Sequence, residues 1–358
     1  MTSAPKVTIG MDVGDRHSHL VVLDEAGVMV VRDQIATTER AVRAWFKRYA
    51  GARVALEVGR HSPWISRLLG EQLEVVVGNS RQIALIHTTT KKNDRIDAEK
   101  LARLARVDPA LLAPVQHRRA DTQAALAIVR AREVVVTGRT RLINSVRGQV
   151  KAMGGSIRSG TSDTFHRRAS ELPDAMESGL LPLVELCGEM TRHVHHYDRV
   201  IEELCRDVYP ETAPLLEIPG VGPVTALTFV PTIEEPDRFP NSRAVGSYLG
   251  LRPRLDESGD TKKQLAITHS GDCLLRKLLV QCAQYICGPH GPDSDLKRVG
   301  DKLAARGGKA AKRKAIVAVA RRLAVLFHRI WVTGEAYQPH YQPAKRSPRK
   351  SPGGSSAA

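Results

Sequence analysis

The first hundred residues are written in alternation. Val7, Ile9 and Met11 fall on every second position, and the stretches His19–Leu23 and Val28–Val31 follow at once. Gly14-Asp15 and Asp24-Glu25-Ala26-Gly27 punctuate them as turns, so residues 6–35 are expected to be strands. Thr38-Glu39 then opens a helical spacing through Ala41, Val42, Trp45 and Phe46. Two short apolar runs, Val54–Val58 and Leu73–Val77, read as buried strands, with a helix at Trp64–Leu69 between them. From Asp94 to Ala105 the period lengthens again, and Ile96, Leu101, Leu104 and Ala105 share one helical face. Three strands, a helix, then alternating strand and helix predict an α/β domain over residues 1–112.

The pattern changes over residues 113–212. Leu183, Cys187, Met190, Val194, Tyr197, Ile201, Leu204 and Val208 recur at alternating steps of four and three, which predicts a coiled-coil seam. Upstream, Ala120–Val150 is helical in spacing through Leu126, Val129, Val136, Ile143 and Val150, and its arginines, Arg139 among them, are expected on the other faces. The two helices can pair as a hairpin through the glycine-containing loop at 154–160, or between chains. Residues 213–337 read as mainly α, with helices at Val224–Val230, Ser242–Leu249, Leu274–Cys287 and Lys312–Ile330 and a charged loop from Leu251 to Thr268. Residues 338–358 are rich in Pro, Ser, Gly and Lys/Arg and are expected to be disordered.

Charge narrows the partner. The 358 residues carry 54 Lys plus Arg against 38 Asp plus Glu, a formal charge of +16, which points to a polyanion. No apolar run is long enough to span a bilayer, and five cysteines without a CxxC pair read as reduced thiols in a cytoplasmic protein. No Walker A motif is present, so nucleotide hydrolysis is not suggested.

Three constellations could carry chemistry. Asp12 and Glu57 end two strands, while Asp94 and Asp97 lie three apart at a helix start and share a face. Four carboxylates converging from strand ends and a helix suit hard divalent ions. Each acid alone is more simply a turn, strand-end or capping residue. Residues 218–226, IPGVGPVTA, resemble the turn of a helix-hairpin-helix element, with Gly220 and Gly222 opening backbone N–H groups to a phosphate. In the loop, Ser258 stands among Arg252, Arg254, Lys262 and Lys263, cations that could hold a phosphodiester beside its hydroxyl. Further nucleic-acid contacts are expected from Arg276, Lys309, Lys312 and Arg313. His193, His195 and His196 read as polar face residues rather than metal ligands.

Taken together, GMDVGD, LEVGR and NDRIDAEKLARL resemble the DEDD-type, RuvC-like (RNase H-fold) domain of a group of bacterial insertion-sequence transposases. LLEIPGVGPVTALTFV, DRFPNSRAVGSYLGLRPRLDESGDTKK and ITHSGDCLLRKLLVQCA resemble that group's serine-bearing transposase domain, and the whole resemblance runs over residues 5–335. The group is described as bridge-RNA-guided recombinases. The resemblance implies a Mg²⁺ (or Mn²⁺) site at Asp12, Glu57, Asp94 and Asp97, and Ser258 as the nucleophile of a phosphoserine intermediate. It further implies target and donor DNA and a noncoding guide RNA as partners, a homodimer or homotetramer joined through the coiled coil, and nucleoid association during action. A metal-dependent, structure-selective nuclease with no covalent serine step is the alternative reading. The acid-bearing strand reads LEVGRHSPW, where many members of the group have a Thr-Gly after a small residue; the departure touches the contacts beside Glu57 rather than Glu57 itself.

Overall fold

The structure is a computed structural model that describes residues 7–79, 94–258 and 261–340; at 94, 95, 257, 258 and 261–264 it describes the backbone alone. The expected disordered tail beyond residue 340 lies outside the described residues. The chain divides into two compact units between Arg119 and Ala120.

The first unit is an α/β layer structure. Its elements are β1 (Thr8–Val13), β2 (His17–Leu23), β3 (Met29–Ala36), α1 (Glu39–Phe46), β4 (Arg53–Glu57), α2 (Ser62–Leu69), β5 (Glu74–Gly78) and α3 (Asp94–Val107). The sheet order is β3-β2-β1-β4-β5. Short turns fold β1, β2 and β3 back on one another as antiparallel neighbours. Strands β1, β4 and β5 run parallel, which demands crossovers, and α1 and α2 supply them. Thr38 caps α1 by accepting a hydrogen bond from the Ala41 N–H.

Alternation along the strands sorts the two faces. Ile9, Met11, Leu20, Val22, Val54 and Leu56 pack with Val42, Trp45, Phe46, Ile65 and Leu69 of α1 and α2. The opposite face carries the small residues Gly10 and Ala55 and receives α3. A Cβ on Gly10 would stand 1.8 Å from the Ala98 carbonyl oxygen and 2.7 Å from the Ala102 nitrogen, so the helix backbone rests directly on β1. Lower down, the Arg53 guanidinium donates to the Ala105 carbonyl at 3.0 Å. Helix α3 therefore runs antiparallel to β1 and β4, with its first turn over their C-terminal ends.

The second unit is mostly helical: α4 (Ala120–Ala152), α5 (Asp174–Asp207), α6 (Ala213–Leu216), α7 (Pro223–Ile233), α8 (Ser242–Tyr248), β6 (Pro253–Ser258), β7 (Thr261–Ile267), α9 (Cys273–Ile286), α10 (Asp295–Ala304) and α11 (Gly308–Thr333). Its main core joins α7 to α11 through residues such as Phe229, Leu279, Leu323 and Phe327, with the two phenylalanine rings edge to face at 5.0 Å. Among the described residues no helix is long and apolar enough to cross a membrane.

Helices α4 and α5 pack against each other within the chain, but not on the face read from the apolar spacing. Cys187, Val194 and Ile201 are buried as expected; the other buried positions of α5 are Leu180, Val184, Thr191 and Cys205. Leu183, Met190, Tyr197 and Leu204 are half-buried, and Val208 is exposed. The seam is rotated because two of its rungs are polar. Arg139, expected on an outer face of α4, is only 6% exposed and donates to Asp163 at 2.6 Å and to Thr191 Oγ1 at 2.9 Å. One heptad away, Arg132 donates to Asp198 at 2.5 Å. An apolar-only pattern passes over the buried Thr191 and the half-buried Asp198 because their partners, not their hydropathy, bring them to the seam.

The segment expected as a charged loop is a β-hairpin, in which β6 and β7 pair antiparallel from Pro253↔Ile267 to Ser258↔Thr261. Ser258 thus closes a strand instead of sitting in a turn. Ser-Gly-Asp-Thr flanked by alternating residues is a hairpin signal that charge and proline obscured. The thiols also divide: Cys187, Cys205 and Cys282 are buried, whereas Cys273 at the start of α9 is exposed.

Candidate active site

Asp12 and Glu57 meet through strand register. The parallel pairing runs Gly10↔Ala55 and Met11↔Leu56, so the next residues on each strand, Asp12 and Glu57, lie side by side. Period-two alternation puts them on the same face as Gly10 and Ala55, the face that α3 covers. Asp97 precedes Ala98, whose carbonyl lies on Gly10, so it belongs to the turn of α3 above those strand ends. Its carboxylate is largely covered and stands 3.7 Å from the Lys100 ammonium. Asp94 starts α3 one turn earlier; its side chain lies outside the described residues. The backbone thus gathers three described acids at one edge of the sheet. Among the described residues no three His, Cys, Asp or Glu side chains are close enough to hold an ion by themselves. Bare carboxylates repel at short range, so such a cluster draws together only around positive charge.

The loops that follow the two acids are tied to each other. His61, just before α2, points its Nε2 at Asp15 Oδ1, 3.4 Å away in the β1–β2 turn. Its Nδ1 accepts a hydrogen bond from Trp64 Nε1 at 3.1 Å, which leaves the ring proton on Nε2 facing that carboxylate. Beside it, the fully buried Ser62 hydroxyl bonds the N–H and the carbonyl of Gly59 and meets His117 Nε2 at 2.8 Å. Burial, with Arg67 and Arg118 nearby, holds the His117 imidazole below the usual histidine range. Sequence reasoning passed over this network, because a histidine after an arginine in a short loop carries no pattern of its own.

The hairpin residues separate into those described and those beyond description. Arg252 and Arg254 are exposed. Lys262 and Lys263 stand opposite Glu257 and Asp256 in the register, while the side chains of Ser258, Lys262 and Lys263 lie outside the described residues. Lys309, Lys312 and Arg313 are exposed at the start of α11. Arg276 is a correction: it is buried, 8% exposed, and donates to the Leu249 carbonyl at 3.2 Å and to the Ser270 carbonyl. It locks the hairpin base to α9 and has no free guanidinium for a phosphate. At the glycine turn, Gly220 adopts φ +88° and backs onto the Tyr285 ring, where a Cβ would come within 2.4 Å. Gly222 caps α7 with open space at its Cβ position. His193, His195 and His196 are exposed.

Comparison with known proteins bears on what this arrangement serves. Residues 9–154 match the DEDD family of IS110 proteins, described as "Transposase", and residues 212–295 match the "Transposase IS116/IS110/IS902 family". The chain belongs to the IS110/IS116 insertion-sequence transposases. This transposase is 29% identical over 296 residues to the transposase for insertion sequence element IS1328 of Yersinia enterocolitica, covering 78% of the present chain and 84% of that protein. It is 25% identical over 349 residues to the transposase for insertion sequence element IS1111A of Coxiella burnetii, covering 92% and 91%. A probable family 20 transposase of Pseudomonas aeruginosa is 26% identical over 285 residues. The transposase is therefore an enzyme of DNA strand transfer, in which a mixed sheet is followed by a mostly helical region.

Proposed function

We propose that this transposase moves its insertion sequence by divalent-metal-dependent strand cleavage and exchange through a phosphoserine intermediate. The observation that carries the reading is the pairing of β1 with β4, which sets Asp12 beside Glu57 under the first turns of α3. Asp12, Glu57, Asp94 and Asp97 would hold the metal, Mg²⁺ with Mn²⁺ as a substitute; four hard oxygen donors suit either ion. Bound there, the ion would offset negative charge on the reacting phosphate and its oxygens. Ser258 Oγ would attack the phosphorus: its P–O bond forms as the bond to the leaving deoxyribose oxygen breaks, and the serine proton ends on that oxygen as a sugar hydroxyl. The ester conserves the phosphodiester's energy for rejoining, in keeping with a sequence that has no nucleotide-binding motif.

Arg252, Arg254, Lys262 and Lys263 would hold the DNA backbone beside Ser258, with Gly220, Gly222, Lys309, Lys312 and Arg313 contributing further along. A noncoding RNA of the element would pair with target and donor DNA, leaving the basic protein to read backbone and shape. Homodimers or homotetramers would bring acids and serine together, with α4 and α5 as a coiled-coil assembly segment between a RuvC-like domain and a serine-bearing domain.

Two substitutions test the chemistry. Asp12→Asn should reduce strand cleavage by roughly 10²–10⁴ in a purified assay with Mg²⁺ while leaving DNA binding intact. Ser258→Ala should abolish a denaturant-stable protein–DNA adduct. Cleavage at the normal rate without that adduct would instead establish the metal-only nuclease.

A further inference from the structure

A second feature of the helical unit shares only Arg313 with the contacts assigned above. A groove of about 1110 Å³ opens between α10, α11 and the base of the β6–β7 hairpin, with the chain at 337–339 along its side. Its volume lies just above that of ordinary ligand pockets, roughly 300–1,000 Å³. The floor is aliphatic, built by Leu265, Ile267, Val317 and Leu326. The rim is cationic: Arg243, Arg306, Arg313, Lys314, Arg321 and Arg322 line it, and none forms an ion pair with a described residue. The lining contains one acid, Asp295.

Two polyanions could answer that rim, and the floor decides between them. A duplex would leave the floor uncovered, because it presents phosphates and sugars outward. An unpaired strand could enter, but base edges carry several hydrogen-bonding groups each, and an aliphatic floor answers none of them. The lining offers two rings, Tyr337 and the exposed His269 imidazole, so ring stacking compensates little. An acidic amphipathic protein segment meets both demands: its large apolar side chains enter the floor, its own backbone satisfies itself as a helix, and its carboxylates reach the arginines.

We propose that this groove docks an acidic segment of a partner protein, bearing large apolar side chains at helical spacing, as a recruitment site separate from the acidic cluster and from Ser258. The probe is a fluorescein-labelled 18-residue synthetic peptide of Glu and Leu with Leu at i, i+3, i+4 and i+7, titrated into the full-length transposase and read by anisotropy. Binding should weaken about tenfold with Arg313→Glu/Arg322→Glu and about tenfold with Leu265→Asn. All three side chains are exposed, so the fold should survive, as circular dichroism would check. An all-Glu peptide of equal charge should bind at least tenfold more weakly. Equal binding of that peptide, indifference to Leu265→Asn, or displacement by a 20-nucleotide single strand at lower concentration than unlabelled peptide would overturn the proposal. With the unaltered protein, a photo-crosslinking Leu analogue in the peptide should mark residues 253–269 or 313–339; labelling confined elsewhere would also overturn it.

Discussion

The acid-bearing edge of the sheet and the seam between α4 and α5 are positioned by opposite means. At the sheet edge the backbone does the positioning: strand register sets Asp12 beside Glu57, and a helix lying on a bare glycine fixes the third acid. In the seam the side chains do it: Arg132 and Arg139 reach across to Asp198, Thr191 and Asp163 and decide which face of each helix is inside. A backbone-positioned site tolerates changes in its neighbours' side chains but no added atom at the contact. A side-chain-positioned seam fails one polar partner at a time.

The sharpest test of that contrast is Gly10→Ala. The new methyl would meet backbone on two sides, which α3 cannot yield without leaving the strand, so a loss of about 3 kcal/mol or more is expected in urea unfolding. Should stability hold, α3 is not fixed through that contact. Next in size is Arg139→Ala, which empties a buried position and strands Thr191; because Asp163 is half exposed, about 2 kcal/mol is expected, by the same measurement. Arg139→Met, which fills the space without the charge, should recover much of it.

A smaller effect is expected from His61→Ala, which cuts the link between the loops behind Asp12 and Glu57. If that link sets the spacing of the acids, Mn²⁺ binding followed by calorimetry should weaken about tenfold with little change in melting temperature. The smallest effect is one of pH. The His117 imidazole is held below its usual range in the folded chain, so on acidification the unfolded chain takes up its proton first. Its contribution to stability should therefore fall as pH drops through about 6.5 and level off once the folded form also protonates. His117→Gln should flatten the melting temperature between pH 7.5 and 5 relative to the unaltered chain; parallel curves would remove His117 as the cause.

How much of this the residues announced follows the same division. The five strands and the helices of the first unit were legible, because alternation and the turns at Gly14-Asp15 and Asp24–Gly27 are local signals that the sheet then uses. The grouping of Asp12 with Glu57 was legible as a set of strand ends; that Gly10 is the bearing on which α3 sits was not, because it depends on two backbones meeting across some ninety residues. The seam was half legible: Cys187, Val194 and Ile201 carry hydropathy, whereas the buried Thr191 and the half-buried Asp198 are held in the seam by partners on the other helix. Arg276 misled for a related reason, since a guanidinium that satisfies two carbonyls looks in sequence like one offered to a phosphate. The hairpin around Ser258 was hidden by charge that alternates across its register, with Asp256 facing Lys263 and Glu257 facing Lys262.

The polar rungs of the α4–α5 pair have a mechanical consequence. A purely apolar zipper can slide by seven residues and still mesh. Here Arg132 and Arg139 are one such step apart on their helix, and their acceptors Asp198 and Thr191 are one step apart on the other. Sliding by that step would set Arg132 against Cys205 and Thr191 against Val146, so the pair has a single tooth-to-tooth fit. With helices of 33 and 34 residues, each about 50 Å long, the result is a strut of fixed length that cannot creep under load.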